Sequence, residues 1–367
     1  MKIRLKWLVL AAVAISLSAC TVGRFFVYNF ANITDHKIFP SRTLTKSDQA
    51  FQFEKRAELR KPKNFKINGK EVDFDDYLAK NKTVAFLVIK NDTIQYEQYY
   101  KKYDESSIVA SFSMAKSVTS MLVGFAIQDG LIESEEDLVT KYVPELKERG
   151  FDQVSLKHLL QMTSGMEFNE SYVNPFGHAA KYYYGRNLRK QLAKAKLEGV
   201  PGTYFQYQSG QTQLLGLALE RALKGKSITK YLQEKLWTPL GMEYDASWSL
   251  DRKKDGLEKT FCCLNARALD FAKLGRFYLN KGNWEGEQLL SESWIEHSTK
   301  RDTTDGSAVN YQYQWWLKGS DGDYAAEGIL GQYIYVHPEK NIIIVRLGKN
   351  YGKTSWTSIF KALAKAY

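Results

Sequence analysis

The chain has 367 residues, of which 44% are hydrophobic, 14% aromatic and 25% charged. That balance excludes a disordered chain, a collagen-like chain and a multi-span membrane protein. Three cysteines are too few for a disulfide scaffold, and the formal charge is +11.

Lys2, Arg4 and Lys6 form a positive n-region ahead of an apolar run from Trp7 to Ser18. The run is shorter than the roughly 20 residues that span a bilayer. It reads as the h-region of a secretory signal over residues 1–19 rather than as a transmembrane anchor. The run ends in Leu17-Ser18-Ala19-Cys20, which looks like a bacterial lipobox. There a diacylglycerol is attached to the cysteine thiol and the preceding peptide is cleaved. Cys20 is therefore the candidate lipidation site. Thr21, standing where an aspartate would retain the protein at the inner membrane, favours the periplasmic face of the outer membrane. The expected location is the bacterial cell envelope, held to the membrane through the lipid on Cys20. Nucleic acid is not an expected partner, since no binding motif is present. The sequence names no protein partner.

Residues 20–80 hold turn formers and basic side chains and read as a tether and N-terminal wrap. Lys55, Arg56, Arg60, Lys61, Lys63 and Lys66 cluster there. They either touch anionic headgroups or form a solvated face, and the solvated face is the better reading. Thr83–Lys90 and Thr93–Tyr100 are apolar runs separated by Asn91-Asp92, a hairpin signal. From Ser111 to Leu131, Met114, Val118, Met121, Leu122 and Phe125 recur at helical spacing, which predicts a buried helix.

The stretch from 132 to about 255 reads mostly helical, with helices over Val154–Met162, Leu188–Leu197, Thr212–Leu223 and Ile228–Trp237. Leu188–Leu197 is expected to be exposed and basic. A further helix is predicted over Ala266–Asn280. Cys262 and Cys263 read as two small buried apolar residues, because a bridge between neighbours distorts the intervening peptide. Tyr311–Lys318, Tyr324–Ala326, Gln332–His337 and Ile342–Leu347 read as strands. Pro338–Asn341 turns between the last two, and Ser355–Lys365 reads as a terminal helix. Strands near both ends with helices between them imply an α/β (α+β) domain, residues 81–135 and 256–367. Residues 136–255 form an inserted helical domain.

The five histidines are scattered without zinc-like spacing, and no metal site is expected. Gly-x-Ser-x-Gly and phosphate-binding glycine loops are absent, so no cofactor is implied. Ser-x-x-Lys occurs at Ser113…Lys116, Ser227…Lys230 and Ser358…Lys361. Three-residue spacing sets both side chains on one helix face, where an amine of lowered pKa can take the hydroxyl proton. Ser227 reads as an N-cap and Ser358 as a surface position in the last helix. Ser113 differs, because it opens a long apolar helix whose N-terminal N–H groups can hold an oxyanion. Burial of Lys116 depresses its pKa. Tyr207-Gln208-Ser209 adds a phenol that loses its proton more easily beside an ammonium and passes it to a leaving group; a core aromatic is the alternative. Gly328-Ile329-Leu330-Gly331-Gln332 precedes a strand and permits close approach of a ligand, or is a bulge.

In order and spacing, Ser113-Met114-Ala115-Lys116, Tyr207-Gln208-Ser209 and the Gly328 segment resemble the three motifs of the penicillin-recognising serine hydrolases, class C β-lactamase branch. Leu159–Gly165, Pro201-Gly202-Thr203 and Trp237–Met242 fit the same pattern. The branch of 6-aminohexanoate-dimer hydrolases and family VIII esterases is the most similar. The resemblance implies a β-lactamase/transpeptidase-like fold: an antiparallel sheet flanked by helices, with an all-helical insertion. It implies Ser113 as acyl-enzyme nucleophile, Lys116 and Tyr207 as shared base and acid, and the N–H groups of Ser113 and Ile329 as oxyanion hole. Tyr172, Ser209 and Gly328 are the implied substrate contacts.

One departure bears on substrate. The third motif carries Lys-Thr-Gly or a His variant in β-lactamases and peptidases, but here reads Ala326-Glu327-Gly328. No cation stands at its first position to grip a carboxylate. An exported hydrolase of a carboxylic ester or short linear amide is the leading expectation. A cell-wall D-amino-acid peptidase or weak β-lactamase is the alternative. A non-catalytic envelope lipoprotein that uses the cleft for binding is the second.

Overall fold

The computed structural model describes residues 21–367 apart from Asn29, Asn64 and Asn68. The signal peptide and Cys20 lie outside the described residues. No helix among the described residues is long and apolar enough to cross a membrane.

Helix α1, Thr21–Tyr28, starts the described chain. The main sheet takes strand β1 from Glu54–Lys55, β2 from Thr83–Lys90 and β3 from Thr93–Tyr99. Helix α2, Met114–Gln128, follows, then α3 at His178–Tyr184, α4 at Ser209–Ala222 and α5 at Ala268–Leu279. Strands β4 (Tyr311–Gln312), β5 (Trp315–Leu317), β6 (Tyr324–Gly328), β7 (Gln332–His337) and β8 (Ile342–Gly348) complete the sheet, and helix α6, Trp356–Ala366, closes the chain. The eight strands lie in the order β4-β5-β6-β7-β8-β2-β3-β1. All pairs are antiparallel except the short β1–β3 contact. This is the mixed α and β architecture that the strand pattern predicts, with the antiparallel sheet that the resemblance implies.

Both faces of the sheet are covered, which is why β2 and β8 read as continuous apolar runs rather than alternating ones. On one face Phe86, Val88, Tyr335 and Ile344 pack under α6 and the helix Phe74–Lys80. On the other, Leu87, Ile89, Ile334 and Ile343 join the large core that holds α2 and α5. Gly275 lets α5 lie close to the strands, since a Cβ there would come within 2.8 Å of the Ile343 side chain. Helix α2 is buried along its whole length from Met114 to Ala126, as expected of a central core helix.

Three local expectations are corrected. Leu188–Leu197 is not an exposed helix. Only Leu188–Leu192 is helical, and both leucines are buried on its inner face. Ala246–Ser249, in the stretch read as helical, forms a strand between Ser41–Leu44 and Leu264–Ala266 in a four-stranded second sheet. That strand is specified by its distant partners and by its buried Trp248, whose Nε1 donates to the carbonyls of Lys259 and Cys262. Finally, Cys262 and Cys263 are buried as expected but joined by a disulfide. Cys263 adopts φ 69°, a left-handed conformation that neither strand nor helix geometry suggests, and the two Cα atoms stand 3.7 Å apart.

Candidate active site

Ser113 stands at the N-cap position of α2, one residue after Phe112 at φ 45°. A bulky residue at positive φ costs of order 1–3 kcal/mol and persists where neighbours over-determine it. Here Ser111 N–H donates to Leu264 O, and Ala115 N–H donates back to Phe112 O. The kink presents Ser113, half-buried, to a cavity of about 320 Å³ whose walls are almost wholly apolar. Phe112, Tyr183, Phe261, Ile329 and Leu330 contribute to those walls.

One turn into α2, Lys116 is buried and its Nζ has three acceptors. It donates to Ser113 Oγ at 2.9 Å, Phe261 O at 2.9 Å and Ser209 Oγ at 3.2 Å. None of the three is a charged group. Burial disfavours the ammonium, and the pKa is pushed down to about 8 against the pull of Glu170. At pH 7 roughly one molecule in ten then carries a neutral amine at this position.

Tyr207 reaches the site from the loop before α4, and its hydroxyl shares a hydrogen bond with Ser113. Its ring packs against Trp316 and Tyr311. Burial raises its pKa, and the Ser113 hydrogen bond pulls only partly the other way. The expected effect of an adjacent ammonium on the phenol is not what this geometry gives. Lys116 Nζ lies over the ring, 5.1 Å from its centroid, and does not bond the oxygen. The amine is the group poised to titrate near neutrality, and the phenol stays protonated.

Glu170 is a residue that sequence reasoning passed over. Its Oε2 accepts from Ser209 N–H at 2.7 Å, and its Oε1 accepts from Ser209 Oγ at 2.6 Å and from Tyr172 Oη at 2.7 Å. A carboxylate there also complements the positive end of the α4 dipole. Only its place two residues before Tyr172 could have drawn notice. The Phe261 carbonyl was equally hidden, since backbone acceptors leave no trace in side-chain spacing. Tyr172 stands at the cavity wall, 45% exposed.

Strand β6 ends against the turn that carries Ser113. A Cβ on Gly328 would lie 2.3 Å from Ser111 O, so only glycine permits this approach. Ile329 follows at the cavity wall beside Ser113. Buried Arg346 ties the next turn down by donating to Gly331 O, Asn81 O and Asn350 O. Glu327 forms an ion pair with Lys318, so the acid noted in the third motif is met by a cation from β5's end.

The structure thus brings Ser113, Lys116, Tyr207, Ser209, Tyr172, Gly328 and Ile329 to one cavity region. It leaves the other two Ser-x-x-Lys pairs outside. Ser227 caps the helix Ile228–Leu232 by accepting from Lys230 N–H, and Ser358 Oγ donates to Ser355 Oγ on the surface.

A hydroxyl at a helix start, bonded to a buried amine of depressed pKa and to a phenol, is an acyl-transfer constellation. The beta-lactamase family model matches residues 74–355, and the chain belongs to that family. It is a hydrolase with the β-lactamase fold. It is 29% identical over 297 residues to the 6-aminohexanoate-dimer hydrolase of Paenarthrobacter ureafaciens, covering 75% of this chain and 74% of that one. Among solved structures, one named "Putative 6-aminohexanoate-dimer hydrolase from Bacillus anthracis" aligns with a TM-score of 0.81 at 25% identity, over 91% of this chain and 92% of that one. A family VIII carboxylesterase shares the fold, with a TM-score of 0.64 at 16% identity over 80% of this chain and 95% of that one.

Proposed function

We propose an exported, lipid-anchored serine hydrolase that cleaves a carboxylic ester or short linear amide through an acyl-enzyme on Ser113. The observation that carries it is the Lys116 Nζ contact to Ser113 Oγ within a cleft lined by apolar groups. Neutral Lys116 takes the Ser113 proton as Oγ bonds to the substrate carbonyl carbon. The N–H groups of Ser113 and Ile329 hold the oxygen that becomes negative. Tyr207 hands a proton to the departing alcohol or amine as its bond to carbon breaks. Water then attacks the acyl carbon and gives a proton to the Tyr207 phenolate. The Lys116 ammonium returns its proton to Ser113 Oγ as the acyl–Oγ bond breaks, releasing the acid and restoring all three groups. Glu170 holds Ser209 and Tyr172 and keeps Lys116 from losing its proton too readily. The sequence signal ending at Cys20 supports export, and so does a disulfide, which persists in oxidising compartments. The absence of a free third-motif cation supports an ester or linear amide over a carboxylate-bearing substrate.

The test is labelling with a fluorophosphonate, then a panel of p-nitrophenyl esters, linear amides and D-alanyl peptides. The expected result is one adduct on the peptide holding Ser113, with turnover of esters or linear amides. No adduct overturns the reading, and steady opening of nitrocefin moves it to the peptidase branch. In the same assay Glu170→Gln is expected to shift the acid limb of kcat/KM toward lower pH. Removing the carboxylate withdraws the charge that favours the Lys116 ammonium, so the amine becomes neutral earlier in the titration. An unmoved limb would remove Glu170 from this role.

A further inference from the structure

Thr21, the residue after Cys20, is already helical, and α1 is seated on the cavity rather than extended away from it. Arg24 Nη1 donates to Tyr184 O at 2.7 Å, and Phe25 meets the Tyr184 ring edge-on at 5.7 Å. Phe25 and Phe30 line the same cavity as Ser113. The opposite side of the helix is apolar and bare: Phe26 is 67% and Val27 59% exposed. Val173 and Phe176 are also exposed, in the segment joining Tyr172 to α3, both of which contribute lining residues. Large side chains left in water around a cavity mouth mark a surface that meets something apolar.

We propose that this rim rests on the lipid bilayer and that the substrate is an acyl ester of an amphiphilic lipid, drawn into the cavity from the membrane. The proposal rests on the acyl-transfer and lipidation readings above. A diacylglycerol on Cys20 leaves no spacer between the acyl chains and helical Thr21, which sets the bilayer surface beside α1. The two acyl chains of the diacylglycerol hold the protein at the bilayer, and an apolar rim beside them sets which face meets it. Aromatic side chains are at home at the lipid–water interface. The basic cluster lies elsewhere and is partly neutralised, with Lys55 on Glu97 and Lys61 on Asp73 and Asp75. The Ser113 Oγ–acyl bond forms, the lipid's ester C–O bond breaks, and the alcohol leaves with the proton of Tyr207.

The experiment uses the full lipidated chain in vesicles of phosphatidylethanolamine and phosphatidylglycerol. It compares 4-methylumbelliferyl oleate held in the vesicle with p-nitrophenyl acetate in water. The double variant Phe26→Ser/Phe176→Ser alters the rim at two residues that do not themselves line the cavity. Loss of two apolar side chains from the bilayer-facing rim is expected to lower oleate turnover about ten-fold or more, with acetate turnover within about two-fold of the parent. Equal oleate turnover in both proteins overturns the proposal while acetate turnover still supports the serine reading. A rim variant that turns a dimer into a monomer with oleate turnover intact assigns the rim to a second copy and overturns it too. No turnover of either ester and no fluorophosphonate adduct would remove the acyl-transfer reading itself.

Discussion

Ser113→Ala is expected to lower kcat for p-nitrophenyl acetate by about 10³-fold or more, with the folded structure intact. The proposed reaction splits one difficult displacement into two easier ones, and without the hydroxyl neither exists. Lys116 and Tyr207 cannot substitute, because one titrates as a base and the other stays protonated. Stability should change little. Removing one side-chain hydroxyl costs on the order of 1 kcal/mol net, and the position is open to the cavity. Turnover and thermal melting together decide the matter. Activity within ten-fold of the parent, with a native melt, would mean that acyl transfer does not run through this atom.

Lys116→Met is the second large effect, a fall of about 10²–10⁴-fold in kcat, the usual worth of a positioned proton acceptor. Lys230→Ala, at the surface pair of the same pattern, should leave kcat unchanged. The parent's kcat/KM should climb as pH rises through about 8, where the buried amine becomes neutral. A stability signature accompanies it. The amine has pKa about 8 when folded and the ordinary lysine value of 10.5 when unfolded. Between those values the unfolded chain binds more protons, so stability rises with pH across that window. Lys116→Met should flatten that rise. A melting profile with the same slope in both proteins would show that the lysine is not buried as described.

The β-rich ends of the chain were legible because a strand covered on both faces reads as an unbroken apolar run. Gln332–His337 and Thr83–Lys90 therefore appear in the structure with the predicted limits. The long central helix was legible for a similar reason, its apolar positions recurring at helical spacing. Ala246–Ser249 was not, because four residues carry too little periodicity and the strand exists only through its neighbours. Within the site, Ser113, Lys116 and Tyr207 were visible as residue types in a family-like order. Glu170 was not singled out, since a lone loop carboxylate has no pattern until it is folded against Ser209. The vicinal disulfide was read wrongly because the objection to it assumed ordinary backbone at Cys263. The left-handed φ there removes that assumption.

The register between β2 and β8 has a consequence for biogenesis. Lys90 pairs with Ile342, and Phe86 with Arg346, so a strand made early waits for one of the last to be made. Until then β2 presents an open, strongly apolar edge, the kind that templates pairing with other chains. A ribosome adds roughly 5–20 residues per second, so that edge stays uncapped for many seconds of synthesis. A truncated product ending before Ile342 would carry every side chain of the Ser113–Lys116–Tyr207 group yet lack the strand that seals the sheet. Its fate is aggregation or proteolysis rather than partial activity.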